Sequence, residues 1–458
     1  MKKVVLLFIV PGFILAGFGS CKTNPAELKA NYPEWAKNAV IYEVNIRQYT
    51  PEGTFKAFEA HLPRLKELGA DILWFMPIHP IGVKNRKMPE GMKESLGSYY
   101  SVRDYKGVNP EFGTEEDFKN LVAKAHEMGF KVIIDWVANH TAWDNQWVTG
   151  HPEWYEKDST GKILSPFGWA DVAKLDYRNK DMRKEMIASM KYWIERCDID
   201  GFRCDVAGEV PVDFWEQARA ELEKTKPLFM LAENEDKPQL LMKAFDANYG
   251  WRMHQLMHDI AKGKDSVHSI VKQVLKVDSV IPKNTFQINF ITNHDENSWN
   301  GTAQEKFGPG ENAFALLTYT LPGMPLIYSG QEAGLNKRLA FFVKDTINWK
   351  GNDLSPFYEK LNALKHGNEA LWNAPYGGRF ELVKNTVPGK VLSFIRKKGK
   401  NKVLVIVNLS NKYATVNLKG DKADGDYTDV FSGAAFTLNS STLNLTLQPW
   451  GYWVMEAK

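Results

Sequence analysis

From Trp35 onward the chain changes repeatedly between two spacings of apolar and polar residues. Alternation at every second position reads as strand, and recurrence at three or four as helix. Ala39 to Tyr49 predicts a strand, with Val40, Tyr42, Val44 and Ile46 on one face. Thr54 to Leu68 predicts a helix stopped by Gly69, and Asp71 to Ile78 a second strand ended by Pro77 and Pro80. Thr114 to Met128 predicts a helix with Thr114 as its N-cap, followed by a third strand over Lys131 to Val137. Further strands are predicted near Gly201, Leu228, Phe245, Thr285 and Pro325. Helices are predicted near Met182, Phe214, Leu240, His254 or Val267, Glu311 and Tyr358. Eight strands with intervening helices imply an α/β chain folded as a (β/α)8 TIM barrel, whose functional face lies at the C-terminal strand ends.

Two long segments interrupt this alternation, His79 to Pro110 after the second strand and Thr141 to Asp176 after the third. Insertions of this length in a compact domain tend to be functional. Beyond about Gly377 the helical spacing stops. Short alternating runs follow at Arg379 to Lys384, Val391 to Lys397, Lys402 to Val407, Thr415 to Leu418, Leu443 to Leu447 and Trp453 to Glu456. They predict a C-terminal antiparallel β-sandwich or small barrel.

The organising stretch is Gly201-Phe202-Arg203-Cys204-Asp205-Val206-Ala207-Gly208-Glu209-Val210. As a strand it places Arg203 and Asp205 on one face and Phe202, Cys204 and Val206 on the other. Buried charges need a partner or a wet cavity. The pair is therefore either a structural ion pair in a core or a strand end opening into a site. Three other predicted strand ends carry polar residues: Asp135-Trp136-Val137-Ala138-Asn139-His140, Leu231-Ala232-Glu233-Asn234, and Thr292-Asn293-His294-Asp295-Glu296-Asn297.

Together these four stretches, in this order, resemble the motif regions of the α-amylase family of glycoside hydrolases. The resemblance runs from about Trp35 to the C-terminus and implies a retaining glycosidase acting on α-glucosidic, mainly α-1,4, bonds of starch-derived glucans or maltodextrins. It implies Asp205 as nucleophile, Glu233 as general acid/base and Asp295 as third carboxylate. Retention needs two carboxylates about 5–5.5 Å apart. Arg203 is expected to keep Asp205 ionised, and neighbouring carboxylates to keep a proton on Glu233. His140, His294 and Tyr100 match residues that contact the central sugar, Tyr100 by stacking. Asp135 matches a largely structural acid.

Departures from the pattern keep the subfamily open. Where many α-amylases follow the nucleophile with Lys-His, this chain reads Val206-Ala207-Gly208-Glu209, which argues against the usual calcium site, although Asn139 matches one of its ligands. The run is closer to cyclomaltodextrinases and neopullulanases, and a Val after the nucleophile is similar to enzymes that accept α-1,6 bonds. Glucanotransferase activity and a non-catalytic glycan-binding role are the remaining alternatives; the presence of Asp205, Glu233, Asp295 and Arg203 argues against the second. No cofactor is required by this chemistry.

Composition changes the picture little. A net charge of +3 in 458 residues gives no reason to invoke nucleic acid. Fifteen Trp and seventeen Tyr suit both a core and a sugar cleft. Lys2 and Lys3, the apolar stretch Val4 to Phe18, and Gly19-Ser20-Cys21 resemble a bacterial lipoprotein signal, with an ordinary cleaved signal or an anchor helix as the alternative. Lipid on Cys21 would tether the chain to the cell envelope, its one expected membrane contact. The expected organisation is a signal at 1–21, a tether at 22–34, the barrel at 35–376 with a short inserted domain at 141–176, and the all-β domain at 377–458. Cys197 and Cys204 suggest neither a disulfide framework nor a zinc site.

Overall fold

A computed structural model of the chain describes residues 30–440 and 442–457. Eight parallel strands close into a barrel: β1 Ile41–Val44, β2 Ile72–Phe75, β3 Lys131–Val137, β4 Gly201–Asp205, β5 Phe229–Ala232, β6 Ala247–Tyr249, β7 Phe286–Asn289 and β8 Met324–Tyr328. They pair in sequence order around the ring, with β1 against β8. Ile41, Ile72, Ile133, Leu231, Ile288 and Leu326 fill the lower interior of the barrel. The outward faces pack against the surrounding helices in one large core. Gly201 lets β4 approach β5 closely, because a Cβ there would lie 1.9 Å from the Phe229 carbonyl oxygen.

The predicted barrel is the observed one, with local corrections. β1 ends at Val44, and Ile46–Tyr49 turns into a short helix, because buried Arg47 and Gln48 leave the strand direction to reach loop carbonyls. The single helix predicted over Thr54 to Leu68 is two, Phe55–Glu59 and Leu62–Leu68, with Pro63 in the first turn of the second. Helix Glu115–Glu127 starts as predicted, with Thr114 and Asp117 forming a capping box. Both helical candidates after β6 exist, Trp251–Ala261 and Val267–Val280.

The insertion after β3 begins and ends in an antiparallel ribbon, His140–Ala142 against Val172–Lys174. The insertion after β2 is almost free of regular structure, apart from a bridge between Ile81 and Val102. The C-terminal part is a six-stranded antiparallel sheet made of β9 Arg379–Leu382, β10 Val391–Lys398, β11 Asn401–Asn408, β12 Gly425–Asp429, β13 Ala435–Leu438 and β14 Tyr452–Ala457. Two short ribbons lie beside it. β12 and β13 escaped prediction because Gly, Asp and Thr dominate β12, β13 has only four residues, and the burial of both is intermittent. One sheet face joins the barrel core through Leu392, Phe394, Val403 and Val405, and Arg396 Nη1 donates to the Thr320 carbonyl at 3.0 Å. Among the described residues no helix is long and apolar enough to cross a membrane.

Candidate active site

At the C-terminal end of the barrel, β4 carries Arg203 inward, wholly buried under a cleft of about 740 Å³. Its guanidinium serves three carboxylates. Nη1 donates to Asp135 at the end of β3, at 2.9 and 3.2 Å to the two oxygens, and to Asp205 Oδ1 at 3.1 Å. Nη2 stands 2.7 Å from Glu233 Oε1, just beyond β5, as an ion pair without an aligned hydrogen bond. Nε donates to the Tyr249 hydroxyl on β6 at 3.0 Å. The rings of Trp74, Tyr249 and Tyr100 surround the cation, with centroids 5.1, 5.5 and 5.8 Å away. Asp205 and Glu233 thus meet at one cation and line one cleft.

Val206 departs from the strand alternation expected of it. Its φ is +41°, a costly conformation for a β-branched residue, and it ends β4 rather than joining the apolar face of Phe202 and Cys204. The turn aims its N–H at Glu233 Oε2, 2.8 Å away. Gly208 completes this loop, since a Cβ there would lie 2.3 Å from Asn234 Nδ2.

The residues expected to contact sugar cluster around the same point. The Tyr100 hydroxyl donates to Asp135 Oδ2 at 3.1 Å and lies 2.7 Å from His294 Nε2. The Tyr100 and His294 rings stack at 5.5 Å. His294 Nδ1 is 2.5 Å from Glu43 Oε1 on β1, and its Nε2 is 3.4 Å from Asp295 Oδ2. Asn139 Nδ2 donates to His140 Nδ1 at 3.3 Å, which leaves the His140 proton on Nε2. Asp295, with about a third of its side chain exposed, lines the cleft at the start of the π-turn Glu296–Asn300.

The electrostatics of the cleft correct one expectation. Asp205 is raised well above the usual carboxylate range by burial and then by Glu233; Arg203 opposes both but does not prevail. One guanidinium divided among three carboxylates is too little to hold Asp205 low. Burial likewise pushes Asp135 up to about 6, against Arg203 and His294. Burial alone would lower His294, but Asp295 and Glu43 outweigh it and raise the ring to about 9. His140 has no such partner, and burial pushes it down to about 4.

The residues around Asn139 do not fit a calcium ion. Its amide nitrogen, though not the oxygen that would face a cation, is engaged by His140, and the adjoining carbonyls already accept hydrogen bonds. The Tyr105 hydroxyl donates to Val137 and His140 at 2.7 and 2.9 Å, and the Tyr177 hydroxyl to Ala138 at 2.6 Å. Among the described residues no three His, Cys, Asp or Glu side chains are grouped to hold a metal.

Several contributors were missed in the sequence. Glu43 sits opposite the apolar face of β1, so a lone acid within an alternating strand was the available signal. Tyr249 and Trp74 carried none beyond their strand positions. Trp299, Phe341 and Phe342 form an aromatic wall, with Trp299 half exposed and its ring 5.1 and 5.9 Å from the two Phe rings. Arg47 Nη1 ties this wall to the Tyr100 loop by donating to the Phe341 and Gly97 carbonyls, each at 3.2 Å.

Known proteins are similar to this chain in sequence and fold. The α-amylase catalytic domain model matches residues 32–162 and 150–368, and the maltogenic amylase C-terminal domain model matches 380–454. The α-amylase MalA of Haloarcula japonica is 26% identical over 441 residues, covering 92% of this chain and 61% of its own length. The chain thus spans about three fifths of that relative. A cyclomaltodextrinase of Thermoanaerobacter pseudethanolicus is also 26% identical, over 84% of this chain and 72% of its own. Among solved structures, the noncanonic maltogenic α-amylase AmyB of Thermotoga neapolitana is 30% identical with a TM-score of 0.83, covering 92% of this chain and 98% of that one. The fold and the family model over most of the chain therefore agree: the chain belongs to the α-amylase family of glycoside hydrolases.

Proposed function

We propose that this chain is a retaining hydrolase of α-glucosidic, mainly α-1,4, bonds in starch-derived glucans or maltodextrins. The observation that carries the reading is the convergence of Asp205 and Glu233 on opposite nitrogens of the Arg203 guanidinium at the floor of one cleft. Asp205 attacks the anomeric carbon while Glu233 gives its proton to the departing glycosidic oxygen, leaving a glycosyl ester on Asp205. Glu233, now a carboxylate, takes a proton from water, and the resulting hydroxide equivalent displaces Asp205. The first step needs a proton on Glu233 and none on Asp205; Arg203, which opposes the upward shift of Asp205, is the group that favours the ionised nucleophile. Tyr100 offers a ring face to the central sugar, His140 a neutral N–H, His294 a cationic one, and Asp295 accepts from sugar hydroxyls.

The test is to trap the ester with a fluorinated glucosyl fluoride and map the labelled peptide. Label on Asp205, with release of short maltooligosaccharides from maltoheptaose by the untreated enzyme, supports the reading. Inactivation with the label elsewhere, or no cleavage of any α-glucan, overturns it.

A second reading, a cyclomaltodextrinase- or neopullulanase-like specificity, is favoured by the run Asp205-Val206-Ala207-Gly208-Glu209-Val210 and by the cyclomaltodextrinases among the relatives. Relative rates on maltoheptaose, pullulan and cyclodextrins separate the two. Export and lipid attachment at Cys21 are part of the proposal and rest on Lys2, Lys3, the apolar stretch and Gly19-Ser20-Cys21, all outside the described residues. Loss of membrane fractionation in Cys21→Ser is the expected result; unchanged fractionation refutes the tether.

A further inference from the structure

Lys87 and Asp171 come from different insertions, one after β2 and one after β3, yet both line the cleft. Lys87 Nζ stands 3.2 Å from Asp171 Oδ1, and the Asp171 side chain is only 5% exposed. Around this pair the two loops are sewn together. Val83 N donates to Asp144 Oδ2 at 3.0 Å, Ser101 Oγ to the Asp171 carbonyl at 3.0 Å, and Ala142 N to the Val102 carbonyl at 2.9 Å. Trp169, in the same loop as Asp171, presents a partly exposed ring to the cleft. β2 and β3 lie across the barrel from β6 and β7, so the joined loops stand at the end of the cleft opposite Trp251.

Resting on the glucan reading above, we propose that the Lys87–Asp171 pair is a chain-end binding site that limits how many glucose units the cleft accepts beyond the scissile bond. The chemistry is specific. A carboxylate accepts from two neighbouring hydroxyls, and an ammonium donates to one of their oxygens. At the non-reducing end of an α-1,4 chain the terminal glucose offers both its 3- and 4-hydroxyls. In an internal glucose O4 carries the next unit and has no proton to give. An ion pair fixed by two sewn loops therefore suits an end and meets an internal unit poorly. Trp169 supplies a ring face beside it for the apolar side of that sugar.

The experiment compares a maltoheptaoside free at its non-reducing end with one blocked there by a 4,6-ethylidene group. Wild type is expected to cleave the blocked substrate at least tenfold more slowly and to release one dominant short product from the free one. Lys87→Ala and Asp171→Asn are expected to narrow that ratio and spread the product lengths, and Lys87→Arg to restore both. A loop tether alone would lower the melting temperature without moving the product pattern. Equal wild-type rates on the two substrates, or an unchanged ratio in Lys87→Ala, overturns the inference while leaving the hydrolase reading intact. Cleavage of neither substrate overturns both.

Discussion

Arg203 Nη2 stands 2.7 Å from Glu233 Oε1 while Nη1 of the same guanidinium donates to Asp135 and Asp205. This planar fork is what gathers three carboxylates, and a lysine cannot reproduce it. Arg203→Lys is expected to fold but to lose about 100-fold or more in kcat, the usual consequence of displacing reacting groups by an ångström. Arg203→Ala leaves buried carboxylates unpaired and is expected to lose about 3–5 kcal/mol of stability. Steady-state kinetics and urea unfolding read these out; near-wild-type kcat in the lysine variant would refute the shared-cation account.

Asp205 is raised by burial and Glu233, so its protonated form is the one the fold prefers. That preference contributes stability below the unfolded carboxylate value, about 3.9, and is lost as pH rises through the folded value. Asp205→Asn, inactive as a catalyst, is therefore expected to gain stability relative to wild type as pH is raised from about 4 upward. A stability difference that stays flat with pH, or falls, contradicts the crowding described above.

His294 moves the other way. Its folded value of about 9 lies above the ordinary imidazole value near 6.5. The ring thus contributes stability that is complete below about pH 6.5 and lost as pH rises through about 9. Unfolding free energies at several pH values should show wild type losing this increment on the alkaline side, and His294→Gln not losing it. Parallel curves for the two proteins would exclude a charged His294 between Glu43 and Asp295.

Tyr105 and Tyr177 satisfy the carbonyls beside Asn139. A chelator is therefore expected to leave the melting temperature unchanged. Tyr177→Phe removes one buried hydrogen bond and is expected to lose roughly 1–3 kcal/mol, since the Ala138 carbonyl is left unmet. A large drop in melting temperature with chelator in the wild type would show that a metal is held after all.

Trp299 is half exposed on the cleft wall and braced by Phe341 and Phe342. Truncation to Ala is expected to raise KM on maltooligosaccharides about 2- to 13-fold, the equivalent of about 0.5–1.5 kcal/mol of ring contact, with kcat less affected. An unchanged KM would remove Trp299 from the substrate path.

Much of the site was legible because barrel strands keep period two and end in polar residues. That rule brought out Arg203, Asp205 and the stretches that hold Glu233, His140 and the His294-Asp295 pair; the resemblance to the α-amylase family then singled out those residues. It did not extend to Glu43, whose partner His294 lies 251 residues away. Nor did it reach Val206, whose positive φ is imposed by the loop around Gly208 and Asn234 rather than by any local preference of valine. β12 and β13 were hidden for a related reason: an edge hairpin with little burial needs no apolar alternation.

The eight strands, the helices between them and the polar residues at the strand ends could be read from the amino-acid order. Those follow from short-range periodicity, which each strand carries alone. Only the tertiary structure decided how charge is shared there. Burial and the distances among Arg203, Asp135, Asp205 and Glu233 depend on four strands closing on one another, and Coulomb energies change with separation and surrounding dielectric. The same closure brought Lys87 to Asp171, two residues whose loops have no common pattern and meet only because β2 and β3 are neighbours in the ring.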